Sequence, residues 1–386
     1  MKLQEKIQFH KPITTSREFF KDNVGVKCVH YGDIYKNYSG KTIPSSCIIN
    51  NFANEVSSDK LLYCDSIIVP DVTETVSDWG HFTYIKYDGI PYINGTHAVA
   101  LTCESEDELK YIFRYLSSNH NRKRLQTLLN GSTVFQISIK DFGRFLLENY
   151  HESQDEQSHI VDILGSIDDS IENNEKIIEA LEEKMLLEYD HLIAGTTLTG
   201  SEMKEIFDIS IGKTPPRKES HWFTENPEDV KWLSISDMGK AKVFAFDSSE
   251  KITAEGIEKY NVKIAPENTV LLSFKLTIGK VAITGCEMAT NEAIAHFVSN
   301  DENIVEYLYC YLKRYNFDML GNTSSIATAV NSKTIKAMKF YYPDTETLVD
   351  FHRIAEPLIK KIKHLLITNA KLSELKHLYL KKFFGF

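Results

Sequence analysis

Residues Gln154 to Ala194 constrain the fold more than any other stretch of this chain. No proline interrupts them, and Ile160, Ile167, Asn174, Leu181 and Glu188 recur at seven-residue intervals. A second row, Ile163/Leu164, Ser170/Ile171, Ile177/Ile178 and Lys184/Met185, falls three to four residues behind. That spacing draws an apolar seam along one face of a long helix. About 40 residues at ~1.5 Å rise give a rod of roughly 60 Å. Such a rod cannot bury its own seam and requires a partner helix. The end of the chain offers one: from Leu348 to Phe384, the residues Phe351, Ile354, Leu358, Ile362, Leu365, Leu372, Leu375 and Tyr379 keep the same rhythm. Charge supports the pairing, with 13 acids and 2 bases in residues 151–200 against 5 acids and 8 bases in residues 344–386. Opposite charges beside an apolar seam favour pairing between unlike rods. Two unrelated solvated amphipathic helices are the plainer alternative.

The net charge of −10 argues against nucleic acid as a partner only if it is spread evenly, and it is not. Residues 1–150 hold 17 acids and 17 bases, and residues 201–343 hold 19 and 17, so the excess acid belongs to the first rod. A length of 386 residues suits two or three domains. No apolar run reaches the length of a membrane span, and no signal-like segment follows Met1. The chain is therefore expected in the cytoplasm, away from any membrane. Cys28, Cys47, Cys64, Cys103, Cys286 and Cys310 form no C-x-x-C pair, which predicts reduced, mostly buried thiols.

The globular parts repeat one another. Val26-Lys27 followed by Asp33-Ile34 matches Val230-Lys231 followed by Asp237-Met238, at a constant offset of 204. Asp65 to Val69 answers Asn268 to Leu272, each read as a turn entering a buried strand. His97 to Ala100 answers Glu292 to Ala295, a few residues after Asn94 and Asn291. Tyr111 to Leu116 answers Tyr307 to Leu312 on a predicted helix. Gly131-Ser132-Thr133 answers Thr323-Ser324-Ser325, and Ser138 to Phe142 answers Asn331 to Ile335. Each copy is then expected to close on a hydrophobic strand, Phe145 to Leu147 or Met338 to Tyr342. Matches in one order indicate a duplicated architecture: globular unit, long helix, globular unit, long helix. The second copy opens with a short strand and turn over Glu205 to Arg217. The first offers only Ile7 to Thr15, so its opening strand is expected to be short, altered or encoded upstream.

Signatures of catalysis do not emerge. Gly212-Lys213-Thr214 lacks the glycine a phosphate loop needs five residues earlier, where Phe207 stands, and Gly279-Lys280 fails likewise at Phe274. There is no G-x-G-x-x-G, no Asn/Asp-Pro-Pro-Tyr/Phe for methylation of a base amine, no metalloprotease helix motif and no nucleophile elbow. The 13 histidines show no ligand spacing. The expectation is a binding and scaffolding chain with no catalytic residue, no metal site and no cofactor of its own.

Residues suited to DNA are few. Arg122, Lys123 and Arg124 follow the Tyr111–Ser118 helix, and Lys213, Arg217 and Lys218 lie on a turn of the second unit beside Trp222. Both clusters suit phosphate contacts, or are ordinary solvated surface. Ser132, Thr133, Ser324 and Ser325 are donors to phosphates or base edges, or simple helix caps. Asn94, His97, Asn291 and Glu292 follow predicted strand ends, where they read base edges or close turns.

The stretch Ile209 to Arg217, the stretch Asp229 to Met238, the run Thr290-Asn291-Glu292-Ala293-Ile294, and Gly131-Ser132-Thr133 together resemble the specificity subunit of type I restriction-modification enzymes. The resemblance extends over essentially the whole chain. It implies an α+β fold with two mixed α/β target recognition domains in a pseudo-two-fold repeat, separated by two long antiparallel helices forming a coiled-coil spacer. The expected parts are a first recognition domain over 1–150, a spacer helix over 151–198, a second recognition domain over 199–343 and a spacer helix over 344–386. The resemblance further implies double-stranded DNA as ligand, with an asymmetric bipartite target. Two methyltransferase subunits and motor-nuclease subunits are the implied partners, and they would carry the S-adenosylmethionine, ATP and Mg. A protein-only coiled-coil scaffold and the recognition subunit of a methyltransferase acting without a nuclease are the competing readings.

Overall fold

A computed structural model describes residues 7–21, 24–149, 153–275, 277–317 and 330–385. The first globular unit is built on two sheets. Strands β1 (Ile7–His10), β3 (Thr42–Pro44), β5 (Ser66–Pro70), β6 (Thr83–Lys86) and β8 (Ala98–Cys103) make a five-stranded sheet in the order β1-β8-β5-β6-β3. The neighbours are antiparallel except β3 and β6, which run parallel. Every residue of β5 is buried, which is why it reads as a continuous apolar run rather than an alternating one. Strands β2 (Val26–Val29), β4 (Asn51–Phe52) and β7 (Tyr92–Asn94) form a second sheet, with β2 antiparallel to β4 and parallel to β7. Helix α1 (Glu106–Ser117) starts at Ser105, whose hydroxyl accepts the Glu108 N–H, and buries Tyr111, Ile112, Phe113 and Leu116. The short helix α2 (Asn119–Gln126) follows it.

Phe145, Leu146 and Leu147 do not form a strand. They lie on helix α3 (Ile139–Asn149), capped where Ser138 Oγ accepts the Asp141 N–H at 3.0 Å. Phe142, Phe145 and Leu146 are buried together on one helical face, a spacing of three and four that a short apolar run conceals. Helix α4 (Gln154–Gly195) then runs unbroken for 42 residues.

The second unit repeats this wiring. After β9 (Thr199–Glu202) come β10 (Asp208–Ile211), β12 (Phe244–Ala245), β14 (Val270–Ser273), β15 (Val281–Thr284) and β17 (Ile294–Val298). Their order is β10-β17-β14-β15-β12, with only β12 and β15 parallel. This is the first unit's order and the first unit's set of directions. In the companion sheet β11 (Val230–Leu233) again lies antiparallel to β13 (Glu250–Ile252) and parallel to β16 (Met288–Thr290). Helix α5 (Val305–Arg314) takes the place of α1, and β18 (Lys339–Tyr342) pairs with β9. The opening strand of the first unit is thus present: Ile7–His10 pairs with β8 as Asp208–Ile211 pairs with β17. Only its sequence is altered.

The chain ends on helix α6 (Thr345–Phe384), 40 residues long with Pro357 on its exposed side. By compactness the chain divides within both long helices, into Met1–Ile171 with Lys371–Phe386, and Glu172–Ala370. Each unit therefore owns a piece of each rod. In the first, Ile160, Val161 and Leu164 share a core with Phe384, and Asp168 meets Lys376 at 2.6 Å. In the second, Ile178, Met185 and Tyr189 share a core with Phe351, Ile359 and Ile362, and Asn174 meets Asn369. Both pairings run antiparallel. The buried seam of α6 in the second unit is Leu348, Phe351, Ala355, Ile359, Ile362 and Leu365, whereas Ile354 and Leu375 of the expected seam are exposed. The charge reading changes too. Asp168–Lys376 is the ion pair between α4 and α6 among the described residues. Five other acids of α4 are met by the second globular unit, Glu175 and Glu179 by Lys242, Glu182 by Lys313, and Glu183 and Asp190 by Arg314, while Asp168 is also met by Arg114 of the first. All six cysteines are free, but only Cys28 and Cys310 are buried, while Cys47 and Cys64 are exposed.

Candidate nucleic-acid interface

Three stretches that make the second unit recognisable converge on one crossing. Gly212 passes so close to the end of β16 that a Cβ there would lie 2.1 Å from both Asn291 O and Thr290 Oγ1. Only glycine fits such an approach. The Lys213 N–H donates to Thr290 O, the Asn291 N–H to Leu233 O at 3.1 Å, and Trp232 Nε1 to Lys213 O at 3.1 Å. Thr214 donates to the Glu292 carboxylate. The Gly-Lys-Thr run is thus a structural crossing, and its glycine serves packing rather than phosphate.

The first unit ties the same knot with other residues. Gly95 donates to Val29 O at 2.8 Å, as Asn291 does to Leu233 O. The Thr15 N–H donates to Thr96 Oγ1 at 2.7 Å where Thr214 meets Glu292. Lys27 Nζ donates to Ile48 O and Lys231 Nζ to Phe246 O, both at 2.7 Å. Asp33 accepts the His30 N–H as Asp237 accepts the Ser234 N–H, each capping a short helix. The Lys27/Lys231 and Asp33/Asp237 matches are therefore framework.

Several candidate contacts are committed to this frame. Asn94 is 2% exposed and gives its Nδ2 hydrogens to His10 O and Ala98 O, so it closes a turn. Asn291 Oδ1 accepts the Ala293 N–H, also closing a turn. Arg217 lies over Phe223 and Trp232, 4.0 and 4.6 Å from the ring centroids, and pairs with Glu250 at 2.7 Å. Lys213 Nζ donates to Tyr260 O. Glu292 and Lys218 are exposed. Sequence reasoning missed Glu250 and Trp232 as partners of Arg217, because nothing local marks a cation held by a distant ring.

In the first unit Arg122, Lys123 and Arg124 all lie on α2, but they face different ways. Arg122 covers Gly80, which has φ of +102° and whose Cβ would sit 2.2 Å from Arg122 Cγ. Burial first, and then the Arg122 guanidinium, hold the His81 imidazole below its ordinary pKa. Arg124 lies 5.2 Å over the Phe145 ring, and Lys123 is exposed. Ser132 and Thr133 are exposed in a bend closed by reciprocal Asn130–Gln136 backbone bonds, so neither caps a helix. His97 holds φ of +58° with its Nδ1 2.9 Å from Asp71, and remains partly exposed. Ser324 and Ser325 lie outside the described residues. Among the described residues no three His, Cys, Asp or Glu side chains gather as metal ligands, and no helix is long and apolar enough to cross a membrane.

Comparison with known proteins agrees with this layout. A type I restriction enzyme HindI specificity subunit of Haemophilus influenzae is 26% identical over 190 residues, 47% of this chain and 40% of that protein. A type I restriction enzyme MjaIX specificity subunit of Methanocaldococcus jannaschii is 26% identical over 152 residues, 38% of this chain and 34% of that protein. Both matches span well under half of the relative. The crystal structure of a type-I restriction-modification system S subunit from M. genitalium shares the fold, with a TM-score of 0.58 at 16% identity over 99% of this chain and 94% of that one. The family described as "Type I restriction modification DNA specificity domain" matches residues 15–183 and again 198–377, one match for each copy of the repeated topology, and the chain belongs to that family.

Proposed function

We propose that this chain is the DNA sequence-specificity subunit of a type I restriction-modification complex, reading an asymmetric two-part target. The observation that carries the reading is one sheet topology used twice on different loops: the framework strands coincide, while the residues between them do not. Two readers with different loops select two different half-sites. Each reads a few base pairs in the major groove, where all four pairs are distinguishable. The long helices, contributing to both units, link the readers. The chain itself does no chemistry. Two methyltransferase subunits bring S-adenosylmethionine, and motor-nuclease subunits bring ATP and Mg.

Co-expression with candidate methyltransferase and nuclease subunits tests the assembly. Recovery with both supports the full complex, and recovery with a methyltransferase alone makes the chain a recognition subunit acting without a nuclease. Affinity for duplex DNA that does not fall with rising salt would leave only a protein scaffold, because phosphate neutralisation releases counterions.

A further inference from the structure

The shared frame differs between the two units at one strand end. In the second unit β14 and β17 pair as far as Ser273 and Ile294, and one step beyond, the Phe274 N–H donates to Ala293 O at 2.9 Å. Phe274 and Ala293 are both buried. In the first unit β5 and β8 pair as far as Pro70 and Ala98, and one step beyond, the Asp71 N–H donates to His97 O at 3.2 Å. The backbone bond is the same and the side chains are not. An apolar plug in one unit is a carboxylate and an imidazole in the other, their side chains 28% and 43% exposed. The backbone at His97 also turns into the left-handed region, with φ of +58°, which Ala293 does not do. Glycine enters that region freely and other residues enter it at a cost. A histidine kept there, where the frame needs no side chain, points to a use for the ring.

The ring is held from two sides. Its Nδ1 lies 2.9 Å from Asp71 Oδ1, and a carboxylate oxygen only accepts, so Nδ1 carries the hydrogen and donates it. The Tyr31 ring meets the imidazole edge to face, 5.6 Å between centroids at 89°. Nε2 has no hydrogen-bond partner among the described residues. Its neighbours at the same strand end are already bonded. Asn94 donates to His10 O and Ala98 O, and Thr96 Oγ1 takes the Thr15 N–H and donates to Thr15 O. His97 therefore presents one lone pair, on a ring whose other nitrogen and face are fixed. In the major groove an acceptor suits the amino groups of adenine N6 and cytosine N4, and it opposes guanine O6 and N7 and thymine O4.

We infer that His97 is a specificity-determining residue of the first unit, with Asp71 as its positioning residue, and that Nε2 accepts a hydrogen bond from the exocyclic amine of an adenine or cytosine in the major groove. This rests on the DNA-specificity reading and names a residue of the first reader for which the second has no counterpart.

Duplexes selected from a random-sequence pool by the full chain, with the subunits that co-purify with it, test this. His97→Gly should relax the preference at one position, in one half of the target, by about tenfold. The other half should be read as before, and the slope of log affinity against log salt should not change, because no phosphate contact is lost. Glycine suits the backbone at this position, so thermal melting should show the variant folded. Asp71→Ala keeps His97 but frees its ring, and should relax the same position. The amine is then deleted from the base at that position, with purine in place of adenine or pyrimidin-2-one in place of cytosine. This should weaken binding by the parent about tenfold and binding by His97→Gly hardly at all, since the two changes remove one contact. A 7-deazapurine there should affect both proteins alike. Coupling of His97 to purine N7 rather than to the amine overturns the acceptor role. Selected sequences that are the same for the parent and both variants overturn the proposal and leave the specificity reading standing. Affinity lost equally for every sequence, with a lower melting temperature, makes the pair structural and overturns the proposal too. A parent that selects no sequence removes the specificity reading, and this proposal with it.

Discussion

Asn174 donates its side-chain N–H to Asn369 Oδ1 at 2.7 Å, inside the apolar seam between α4 and α6. A polar pair at a seam position fixes helix register at a cost in stability. Asn174→Leu alone takes this donor from Asn369 and is expected to cost about 1–2 kcal/mol. Leucine at both positions should melt above the single variant. Calorimetry on the full chain decides it: a double variant no more stable than Asn174→Leu means the two amides are not coupled.

Two glycines should respond to alanine with opposite signs. At Gly212 the new Cβ meets the end of β16 at 2.1 Å, and a loss of about 1–3 kcal/mol is expected. At Gly165, inside α4, the Cβ meets nothing within 4 Å, and the helix should gain up to about 1 kcal/mol. Denaturant midpoints measure both. Equal tolerance at the two sites would mean that the Gly212 crossing is not tight.

His296 is fully buried, with Nδ1 3.1 Å from Ser210 Oγ and Nε2 2.7 Å from Thr290 Oγ1. Burial pushes its pKa down from 6.5 to about 4. The folded chain keeps the ring neutral while the unfolded chain takes up a proton. Its stability contribution is therefore fully present above about pH 6.5 and is lost as pH falls toward 4, by on the order of 3 kcal/mol. Melting from pH 7.5 to 4.5 should show the fall, and His296→Gln should flatten it in that window. A variant with the same pH slope as the parent assigns the loss to other groups.

Arg217 is expected to matter for stability rather than for DNA. Its guanidinium is held by Glu250 and two rings. Arg217→Ala should lower the melting temperature of the full chain and leave the salt slope of DNA binding unchanged. A slope reduced by about one unit would return it to the phosphate contacts.

What was legible in the sequence is the frame. The seam of α4 is visible because Ile160, Leu164, Ile167, Ile178 and Met185 each bury a large side chain at heptad spacing. The repeat is visible because Lys27/Lys231 and Asp33/Asp237 make the same backbone contacts in both units, and such contacts demand particular residues. Phe145 to Leu147 misled because three adjacent apolar residues suit a strand as well as a helix, and the decisive neighbour, Phe142, lies outside the run. The surroundings of Asn94 and Arg217 were hidden for another reason. Amide and guanidinium groups are suited to nucleic acid, but their distant partners, His10 O, Trp232 and Glu250, are invisible in a linear reading. The family resemblance is concentrated in the residues that tie the crossing, not in the loops where two readers would differ. The target bases stay illegible for that reason.

Independent reading of two half-sites by two units is tested most directly by mapping methylated bases in a host genome, with this chain and with a version whose residues 199–343 come from another family member. The account predicts that deleting the chain removes one split methylated sequence, and that the exchange rewrites one half of it while leaving the other half unchanged. A methylation map indifferent to the chain, or an exchange that changes both halves together, would contradict it.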